Sequence, residues 1–517
     1  MIEFRARRIT AGRARRTRAS RSQCCPAPAR FRVAAGRALA ALAVLVFAAC
    51  SPAGEAGAPA SSGVTVVWGG GLFDGTGDDV VPNPGIVMAE GRFGAVDAVA
   101  ASEAVAAGAT VVEVGEGEVI LPGLLDLHAH FHLDLLGEGR VDETTVYPAL
   151  FLANGVTSTF PNGEASPQKM RALQERLRSG EQVGARLLRS GPYFGTARVG
   201  WDPDFTTEDI HRQVDALVEE GVAGLKAKTI TAPHLEALIE RAHHHGLSVT
   251  GHLGSGFRGL VNPRDAIHMG IDRIEHFMGG DAMPAERSAY DSFEEMTPDM
   301  PEFERIVQLY LDAGVNYDAT MSAYGYSGGR DPDIFEPFAD EMSYLTPYAR
   351  ELIEERLAAE PRRVSEQFER IYNVKQQLVK RFYDMGGGHL ITMGTDHPST
   401  GEFFSPFSVH RELALFVKSG IPEAAVLRFA TINAATALRL EDDLGTIEAG
   451  KIADLVILEG DPLEDIRNTR NVRMVFKGGV AYDPVELLES SKGRIGPRGP
   501  EDLPDFAAVE VPPPGGE

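Results

Sequence analysis

The sequence predicts an α/β protein built from a (β/α)8 TIM barrel and a small β-sandwich that combines N- and C-terminal segments. Two observations lead to this fold class. Between residues 121 and 439, strand-like runs alternate with amphipathic helical runs, which is typical of a parallel sheet covered by helices. Residues 64–120 and 440–490 instead contain short strands broken by Gly and Pro. The barrel strands are expected to end near eight positions: His130, Phe160, Ser190, Lys226, His252, His276, Thr320 and Asp396.

The barrel units follow from hydrophobic period and from signals at the segment ends. In the run TTEDIHRQVDALVEEG, Ile210, Val214 and Leu217 fall on one helical face, with a Thr before the helix and Gly221 after it. The strand VAGLKAKT follows, then a second helix that ends at HHHG, and then the strand LSVTGH. A short helix beginning at Asn262 precedes the strand IDRIEH. We expect the chemistry of such a barrel at the C-terminal ends of its strands.

Two segments fall outside this alternation. The stretch between Thr320 and Leu390 is too long for one strand–helix connection, and its sequence predicts extra helices over the barrel mouth that shape substrate access. Residues 491–517 are rich in Pro and Gly and are predicted to form a disordered tail.

The first residues predict export. Residues 1–37 hold eleven Arg against one Glu, and residues 38–49 read ALAALAVLVFAA, an apolar run too short to span a bilayer. The small residues before Cys50 are similar to a bacterial lipobox. We therefore expect a signal peptide over residues 1–50 with lipidation at Cys50, a flexible linker over residues 51–63, and a lipoprotein of the cell envelope, periplasmic or at the surface. Simple secretion with a spare cysteine is the alternative.

Composition excludes several classes of function. The formal net charge of −24 becomes −34 once residues 1–49 are removed, which repels phosphate backbones and argues against nucleic-acid binding. The cysteines are Cys24, Cys25 and Cys50. A disulfide framework, a thiolate metal site and a cysteine nucleophile are therefore excluded beyond residue 50. We expect contact with a membrane only through the lipid anchor. A homo-oligomer is possible, and the sequence does not decide the oligomeric state.

Side chains able to bind a metal end several of the predicted strands. His128 and His130 close the strand ILPGLLDLHAH, and residues i and i+2 of a strand share a face, so both imidazoles can bind one cation. Taken singly, each further strand-end residue has a structural explanation, such as a hydrogen-bonded core histidine or a helix cap. As a set they favour a metal site: Lys226, His252, His276 and Asp396.

Lys226 needs a chemical explanation of its own. It lies within an apolar strand, where an unpaired ammonium group is unfavourable to bury. Lys228 lies on the same face of that strand and is the rival candidate. Glu275, next to His276, is expected to point away from the site because neighbours in a strand alternate.

Six stretches of the chain resemble the amidohydrolase superfamily. They are LPGLLDLHAH, GLKAK, VTGHL, IDRIEHF, ITMGTDHP and the later run TINAATALRLEDDLGTIEAGKIADLVIL. The resemblance covers about Val64 to Val480, and within the superfamily it is closest to the imidazolonepropionase-like and Xaa-Pro-dipeptidase-like branch.

The resemblance implies a site with two divalent metal ions. In that reading one metal is held by His128, His130 and Asp396, the other by His252 and His276, and Lys226, carboxylated by CO₂, bridges both. Zn²⁺ suits these ligands best, and Mn²⁺, Co²⁺ or Fe²⁺ can also occupy them. Without carboxylation the site could hold a single metal.

The implied reaction is hydrolysis of an amide bond in a small-molecule or short-peptide substrate. A hydroxide that bridges the metals attacks the carbonyl, and Asp396 transfers the proton to the leaving nitrogen. A cyclic-amide hydrolase, an esterase, lactonase or phosphotriesterase of the same superfamily, and a non-catalytic lipoprotein that binds metal or solute are the alternatives. Candidate substrate-binding residues from loops expected at the barrel mouth are Tyr193, Arg198, Arg258 and Tyr324, and His410 is a further candidate that could orient Asp396 or the substrate.

Overall fold

The protein's structure, a computed structural model, describes residues 63–135, 141–336, 338, 340–359, 362–397, 399 and 402–506. Its strands are β1 (Thr65–Leu72), β2 (Val81–Pro82), β3 (Ile86–Ala89), β4 (Arg92–Val96), β5 (Thr110–Pro122), β6 (Leu124–Ala129), β7 (His132–Leu133), β8 (Val141–Asp142), β9 (Val156–Pro161), β10 (Arg186–Leu187), β11 (Gly224–Lys228), β12 (Ser248–His252), β13 (Arg273–Glu275), β14 (Asn316–Asp318), β15 (Ile391–Thr392), β16 (Leu455–Glu459), β17 (Val472–Lys477) and β18 (Val480–Tyr482).

Its helices are α1 (Ala98–Ala106), α2 (Tyr147–Ala153), α3 (Pro167–Ser179), α4 (Thr207–Glu219), α5 (Ala232–His244), α6 (Pro263–Met269), α7 (Ala289–Phe293), α8 (Pro301–Ala313), α9 (Met321–Ser327), α10 (Pro347–Ala359), α11 (Glu366–Asp384), α12 (Ser408–Lys418), α13 (Glu423–Phe429), α14 (Ile432–Ala437), α15 (Pro484–Ser491) and α16 (Leu503–Phe506). Within the described ranges, none of these helices has the length and apolar character needed to cross a membrane. The predicted signal peptide, Cys50 and residues 51–62 of the predicted linker lie outside the described residues.

N- and C-terminal segments of the described chain meet in one mixed sheet. Its strand order is β18-β17-β16-β5-β1-β3-β4, with β2 paired to β1, and β16 runs antiparallel to β5. The chain just before β16 reaches the far edge strand β4, where Phe93 accepts a hydrogen bond from Gly450 N (2.7 Å) and donates one to Lys451 O (2.8 Å). The sheet therefore bends back on itself. Side chains from both segments, among them Ile120 and Leu455, form its apolar core. The predicted composite β-structure is therefore present as a single curled sheet.

Eight parallel strands of the described residues form the barrel. Strands β6, β9 and β10 pair in one parallel sheet, and β11 to β15 pair in a second. Backbone hydrogen bonds join the two sheets at both edges: Leu127 N donates to Met393 O (3.1 Å) and Ala223 N donates to Arg189 O (2.7 Å). The strands follow one another in chain order. Because they are parallel, their C-terminal ends lie at one end of the barrel. The predicted fold class is confirmed.

Helices with the predicted apolar face form the outer layer. Helix α4 begins with a capping box, in which Thr206 Oγ1 accepts from Asp209 N (3.2 Å) and Asp209 Oδ2 accepts from Thr206 N (2.9 Å). Ile210, Val214 and Leu217 are buried on its inner face. The periodicity that predicted this helix is the periodicity that packs it against the barrel.

The segment between β14 and β15 differs in part from the prediction. It is helical as predicted, but α11 also packs along the barrel wall. Tyr372, Leu378 and Phe382 of α11 are buried, and the Phe382 ring centroid lies 5.7 Å from that of Tyr317 in β14. The apolar face of α11 is long enough to pack along a strand, which leaves α9 and α10 as the additional helices of this segment.

The predicted disorder of residues 491–517 is wrong for residues 491–506. Ile495 is fully buried and donates a backbone hydrogen bond to Tyr344 O (2.8 Å), while Gly493 N donates to Ser343 O (2.9 Å). Burial of the Ile495 side chain and these backbone hydrogen bonds order the segment. Its Pro and Gly content had predicted disorder instead. Residues 507–517 lie outside the described residues.

Candidate metal centre

His128, in β6, and His130, just after this strand, face a common carboxylate. Their Nε2 atoms lie 3.2 and 2.7 Å from Oδ1 of Asp396. Asp396 reaches this position because the chain after β15 runs beside β6, where Asp396 N donates to His128 O at 3.0 Å. The two histidines are buried, at 2% and 4% exposure, so little water competes for their ring nitrogens.

His252 and His276 form a second group beside the first. Their ring centroids are 4.2 Å apart, and the His276 ring lies 5.0 Å from the His128 ring. Nδ1 of His276 is 2.6 Å from Thr320 Oγ1, whereas its buried Nε2 has no hydrogen-bond partner among the described residues. Burial lowers the pKa of both imidazoles well below the usual value. Both rings are therefore neutral, which is the form that binds a metal.

Lys226 is the lysine that β11 buries against these groups. Its side chain is 1% exposed, and its Nζ contacts Oε2 of Glu275. Burial lowers the pKa of Lys226 well below its usual value, so this lysine loses its proton, and becomes the amine that can react with CO₂, more easily than an exposed lysine does. Lys228 is only partly buried, and its Nζ lies 5.5 Å from the ring centroid of Tyr193. The geometry therefore favours Lys226 over its rival.

Glu275 faces the centre, so the expectation that it points away is wrong. Its Oε1 accepts hydrogen bonds from Thr250 Oγ1 (2.6 Å) and from Asn162 Nδ2, and its Oε2 lies 3.8 Å from Nδ1 of His128. Strict alternation would send Glu275 and His276 to opposite faces. His276 has a φ of 61°, in the left-handed region, so the extended strand ends there and both side chains remain at the centre.

The donor set fits divalent metal ions. Two groups of side chains offer ligand atoms close enough to share an ion, namely His128, His130 and Asp396, and His128, Glu275 and His276. Although burial acts to raise it, the pKa of Asp396 is held well below its usual value by His128 and His276. An ionised carboxylate beside several imidazoles is a typical environment for Zn²⁺, Mn²⁺, Co²⁺ or Fe²⁺.

Residues 119–482, more than half of the chain, match the sequence profile of the amidohydrolase family. The chain belongs to this family. The resemblance noted in the sequence is thereby confirmed over the whole barrel and over the C-terminal strands β16 to β18 of the curled sheet.

Solved structures share the amidohydrolase fold of this chain at low identity. A Xaa-Pro dipeptidase with methionine bound in its active site superposes with a TM-score of 0.57 at 20% identity, over 81% of this chain and 100% of the other. Molinate hydrolase superposes with a TM-score of 0.60 at 20% identity, over 85% of this chain and 99% of the other. At this level of identity the likeness shows the fold.

A curated relative matches only a short stretch of the chain. The 5-methylthioadenosine/S-adenosylhomocysteine deaminase of Moorella thermoacetica is 35% identical over 81 residues, which is 14% of this chain and 19% of the deaminase. The chain thus spans less than a fifth of this relative's length in the match.

Several side chains that the sequence did not single out hold the residues of this centre in place. Asp318, at the end of β14, lies 2.9 Å from Nδ1 of His128, which leaves Nε2 of that ring facing Asp396. Asp126 accepts from His128 N (3.0 Å) and from Thr395 Oγ1 (2.9 Å), and burial raises its pKa to about 6. Asp126 precedes His128 by two positions and Asp318 precedes Thr320 by two positions, and this shared-face spacing was the available signal.

Two of the predicted substrate-binding residues lie near the centre. Tyr324, in α9, places its ring centroid 6.3 Å from that of His276. Tyr193 lies beside Lys228, and its ring covers Gly163, where a Cβ would overlap it at 2.0 Å and where φ is +94°. Gly163 is therefore required for Tyr193 to approach the barrel end.

Arg198 and Arg258 have their described contacts outside the centre, and their assignment to substrate binding stays a prediction. Arg198 donates to Gln213 Oε1 of α4 at 2.7 Å, and its guanidinium carbon lies 4.9 Å from the Trp201 ring centroid. Arg258 is exposed, 5.0 Å from the ring of its neighbour Phe257. A loop near the mouth presents side chains to both sides, and its sequence does not say which side each takes.

His410 is also placed away from the centre. It is buried in α12, with Nδ1 3.1 Å from Thr469 Oγ1 and Nε2 3.2 Å from Asn154 Oδ1. Both ring nitrogens are thus occupied by structural partners, and the prediction that His410 binds substrate is not supported.

Proposed function

We propose that the protein is a metal-dependent hydrolase that cleaves an amide C–N bond in a small peptide-like or N-acyl amino-acid substrate. The observation that carries this proposal is the approach of two imidazole Nε2 atoms to one oxygen of Asp396, next to a second histidine pair and a buried lysine. Membership of the amidohydrolase family supports the same reaction class.

Two metal sites would draw on the residues already described. His128, His130 and Asp396 would hold one ion, and His252 and His276 the other, with Lys226 carboxylated on Nζ as a shared oxygen ligand. When bound, the ions supply a hydroxide near neutral pH and polarise the scissile carbonyl. Carboxylation also removes the unfavourable burial of an ammonium group at Lys226.

Asp396 is the proposed acid–base residue, and its two oxygens have different surroundings. Oδ1 is shared between His128 and His130, whereas Oδ2 lies 3.8 Å from Nε2 of His276. Oδ2 is therefore the oxygen with capacity to accept a proton and pass it to the leaving nitrogen. Such proton transfer contributes about 10²–10⁴-fold to a rate.

The first test is the metal content of purified residues 51–517, supplied with metal and bicarbonate. We expect two divalent ions per chain and a carboxylated Lys226 peptide under conditions that retain CO₂. One ion per chain would favour a mononuclear deaminase or cyclic-amide hydrolase. A protein that binds no metal would contradict the proposal and favour a non-catalytic lipoprotein.

The second test compares the wild type with Asp396→Asn on dipeptides, N-acyl amino acids, cyclic amides and esters. We expect amide turnover by the wild type and a loss of about 10²-fold or more in kcat for the variant, because the proton acceptor is removed. The amide oxygen of Asn can still face His128 and His130, so metal should be largely retained. Unchanged turnover by Asp396→Asn would contradict the mechanism.

We also propose that the mature protein begins at a lipidated Cys50 and acts at the cell envelope. The cationic tract, the apolar run and the small residues before Cys50 support this location. Cys50→Ser should move the expressed full-length protein from the membrane fraction to a soluble one. Retention of the variant in the membrane fraction would contradict lipid anchoring.

A further inference from the structure

Lys375 is a buried lysine outside the set of proposed ligands. It lies on α11 of the barrel wall, with 1% of its side chain exposed. Lys380 on the same helix is partly exposed and pairs with Asp384 at 2.6 Å, which is the ordinary situation for lysine. Burial of an ammonium group is unfavourable unless its hydrogens are bonded, so the partners of Lys375 decide what it does.

Those partners are two backbone carbonyls at adjacent strand ends. Nζ of Lys375 donates to the carbonyl of His276, which follows β13, at 2.5 Å, and to the carbonyl of Ala319, which follows β14, at 2.8 Å. The rest of the ammonium group faces aromatic rings, with Nζ 4.5 Å from the centroid of Tyr324 and 5.0 Å from that of Phe293. Lys375 thus joins the ends of two neighbouring barrel strands.

Both strand ends adopt backbone conformations that side-chain-bearing residues rarely take. His276 has a φ of 61° and Thr320 a φ of 49°, and such residues persist only where surrounding contacts hold them. Lys375 donates to the carbonyl of His276 itself and to the carbonyl of Ala319, the residue before Thr320. The hydroxyl of Tyr317 also donates to His276 O, at 2.9 Å.

The same two turns fix the orientation of one imidazole. Thr320 Oγ1 lies 2.6 Å from Nδ1 of His276, which leaves Nε2 directed toward Asp396 and Glu275, 3.8 and 3.9 Å away. If the turn at Thr320 shifted relative to the turn at His276, the ring would lose this partner. The orientation of His276 therefore depends on contacts that originate from a helix in the outer layer.

We propose that Lys375 is a positioning residue for the metal centre: by tying the carbonyls of His276 and Ala319 together, its side chain presents Nε2 of His276 to a metal ion. The inference rests on the proposed function, since it assigns Lys375 to the site through His276. It places no part of Lys375 in contact with substrate or metal.

The test compares Lys375→Met with Lys380→Met, the same substitution on the exposed side of the same helix. Metal dissociation constants are measured by competition with a chromophoric chelator, and folding is checked by thermal unfolding of the metal-free proteins. We expect Lys380→Met to bind as the wild type does. Lys375→Met should fold and bind one of its two ions about 10–100-fold more weakly, as expected for loss of a group that orients a ligand. Lys375→Arg, which keeps a charged donor, should recover part of that affinity.

Other outcomes separate this inference from the proposed function. If the wild type binds two ions and a folded Lys375→Met binds both as tightly as Lys380→Met, the positioning role is overturned and the proposed function stands. If the wild type binds no ion, both are overturned. Should Lys375→Met fail to fold, Tyr317→Phe removes the other donor to His276 O with little change of shape. We then expect weaker binding of the same ion, and unchanged affinity overturns the inference.

Discussion

Glu275→Gln tests how the centre balances its buried charges. Glu275 is 0% exposed, its Oε1 accepts from Thr250 and Asn162, and its Oε2 contacts Nζ of Lys226. The amide of Gln has nearly the same shape, and its oxygen can still serve Thr250 and Asn162. Its NH₂ group would then face the Lys226 ammonium, so that two donors oppose each other and the cation loses its charged partner.

The expected effect in the metal-free protein follows from the burial of this pair. Removal of one partner from a buried ion pair costs about 3–5 kcal/mol of unfolding free energy. An unfolding entropy of about 2.1 cal/mol/K per residue, over roughly 440 residues between 63 and 506, amounts to about 0.9 kcal/mol/K. The metal-free variant should therefore unfold about 3–5 °C below the wild type.

The metal-loaded protein should respond less. Once Lys226 is carboxylated its ammonium no longer exists, so Glu275→Gln strands no cation. Differential scanning calorimetry of both proteins, with chelator and then with Zn²⁺ and bicarbonate, measures the two shifts. Glu295→Gln is the matched control, because Glu295 is in an exposed pair with Arg287 whose loss should change stability by less than about 1 kcal/mol in either state.

Two results would refute this reasoning. An equal decrease in unfolding temperature in the metal-free and the metal-loaded protein would mean that Lys226 remains a cation in the loaded protein. A larger loss in the loaded state, accompanied by a lower metal content, would mean that Glu275 itself binds metal, as its place in one group with His128 and His276 allows.

The lysine assignment and the pH dependence of stability give further tests. Lys226→Met should reduce the metal content below two ions per chain whereas Lys228→Met should not, because only Lys226 is buried against Glu275; the reverse result in metal analysis would transfer the role to Lys228. Burial raises the pKa of Asp142 from 3.8 to about 7, so the folded state binds this proton more tightly and stability is lost as the pH rises between these values. Between pH 5 and 8 the unfolding free energy of the wild type, measured with urea, should therefore fall by about 3 kcal/mol more than that of Asp142→Asn. Asp204→Asn, at an exposed position, is the control. Parallel pH profiles for the wild type and Asp142→Asn would contradict the pKa shift.

The local sequence pattern was sufficient to predict an element whose side chains repeat with a regular period. The apolar positions Ile210, Val214 and Leu217 predicted α4 and are the residues that α4 buries. The spacing of His128 and His130 predicted a shared face, and both rings meet Asp396. In each case the backbone is regular, so the direction of a side chain follows from its position in the chain.

The prediction failed where the backbone stops being regular. Glu275 faces inward because His276 turns into the left-handed region, and no local pattern in IDRIEH announces that turn. His410 was chosen because it could orient Asp396 or the substrate, but its ring instead contacts Thr469 and Asn154. Which side a loop residue faces is decided by contacts distant in sequence.

By itself, the sequence determined the order of strands and helices, the class of fold and the types of metal-binding side chain at the strand ends. These depend on periodicity and residue chemistry, which are local properties. Only the tertiary structure decided that Glu275 rather than solvent meets Lys226, that Asp318 orients His128, and that Lys375 reaches through the wall to the carbonyl of His276. Each of these depends on distant parts of the chain being packed together, because burial, backbone strain and hydrogen-bond partners arise only when the barrel closes.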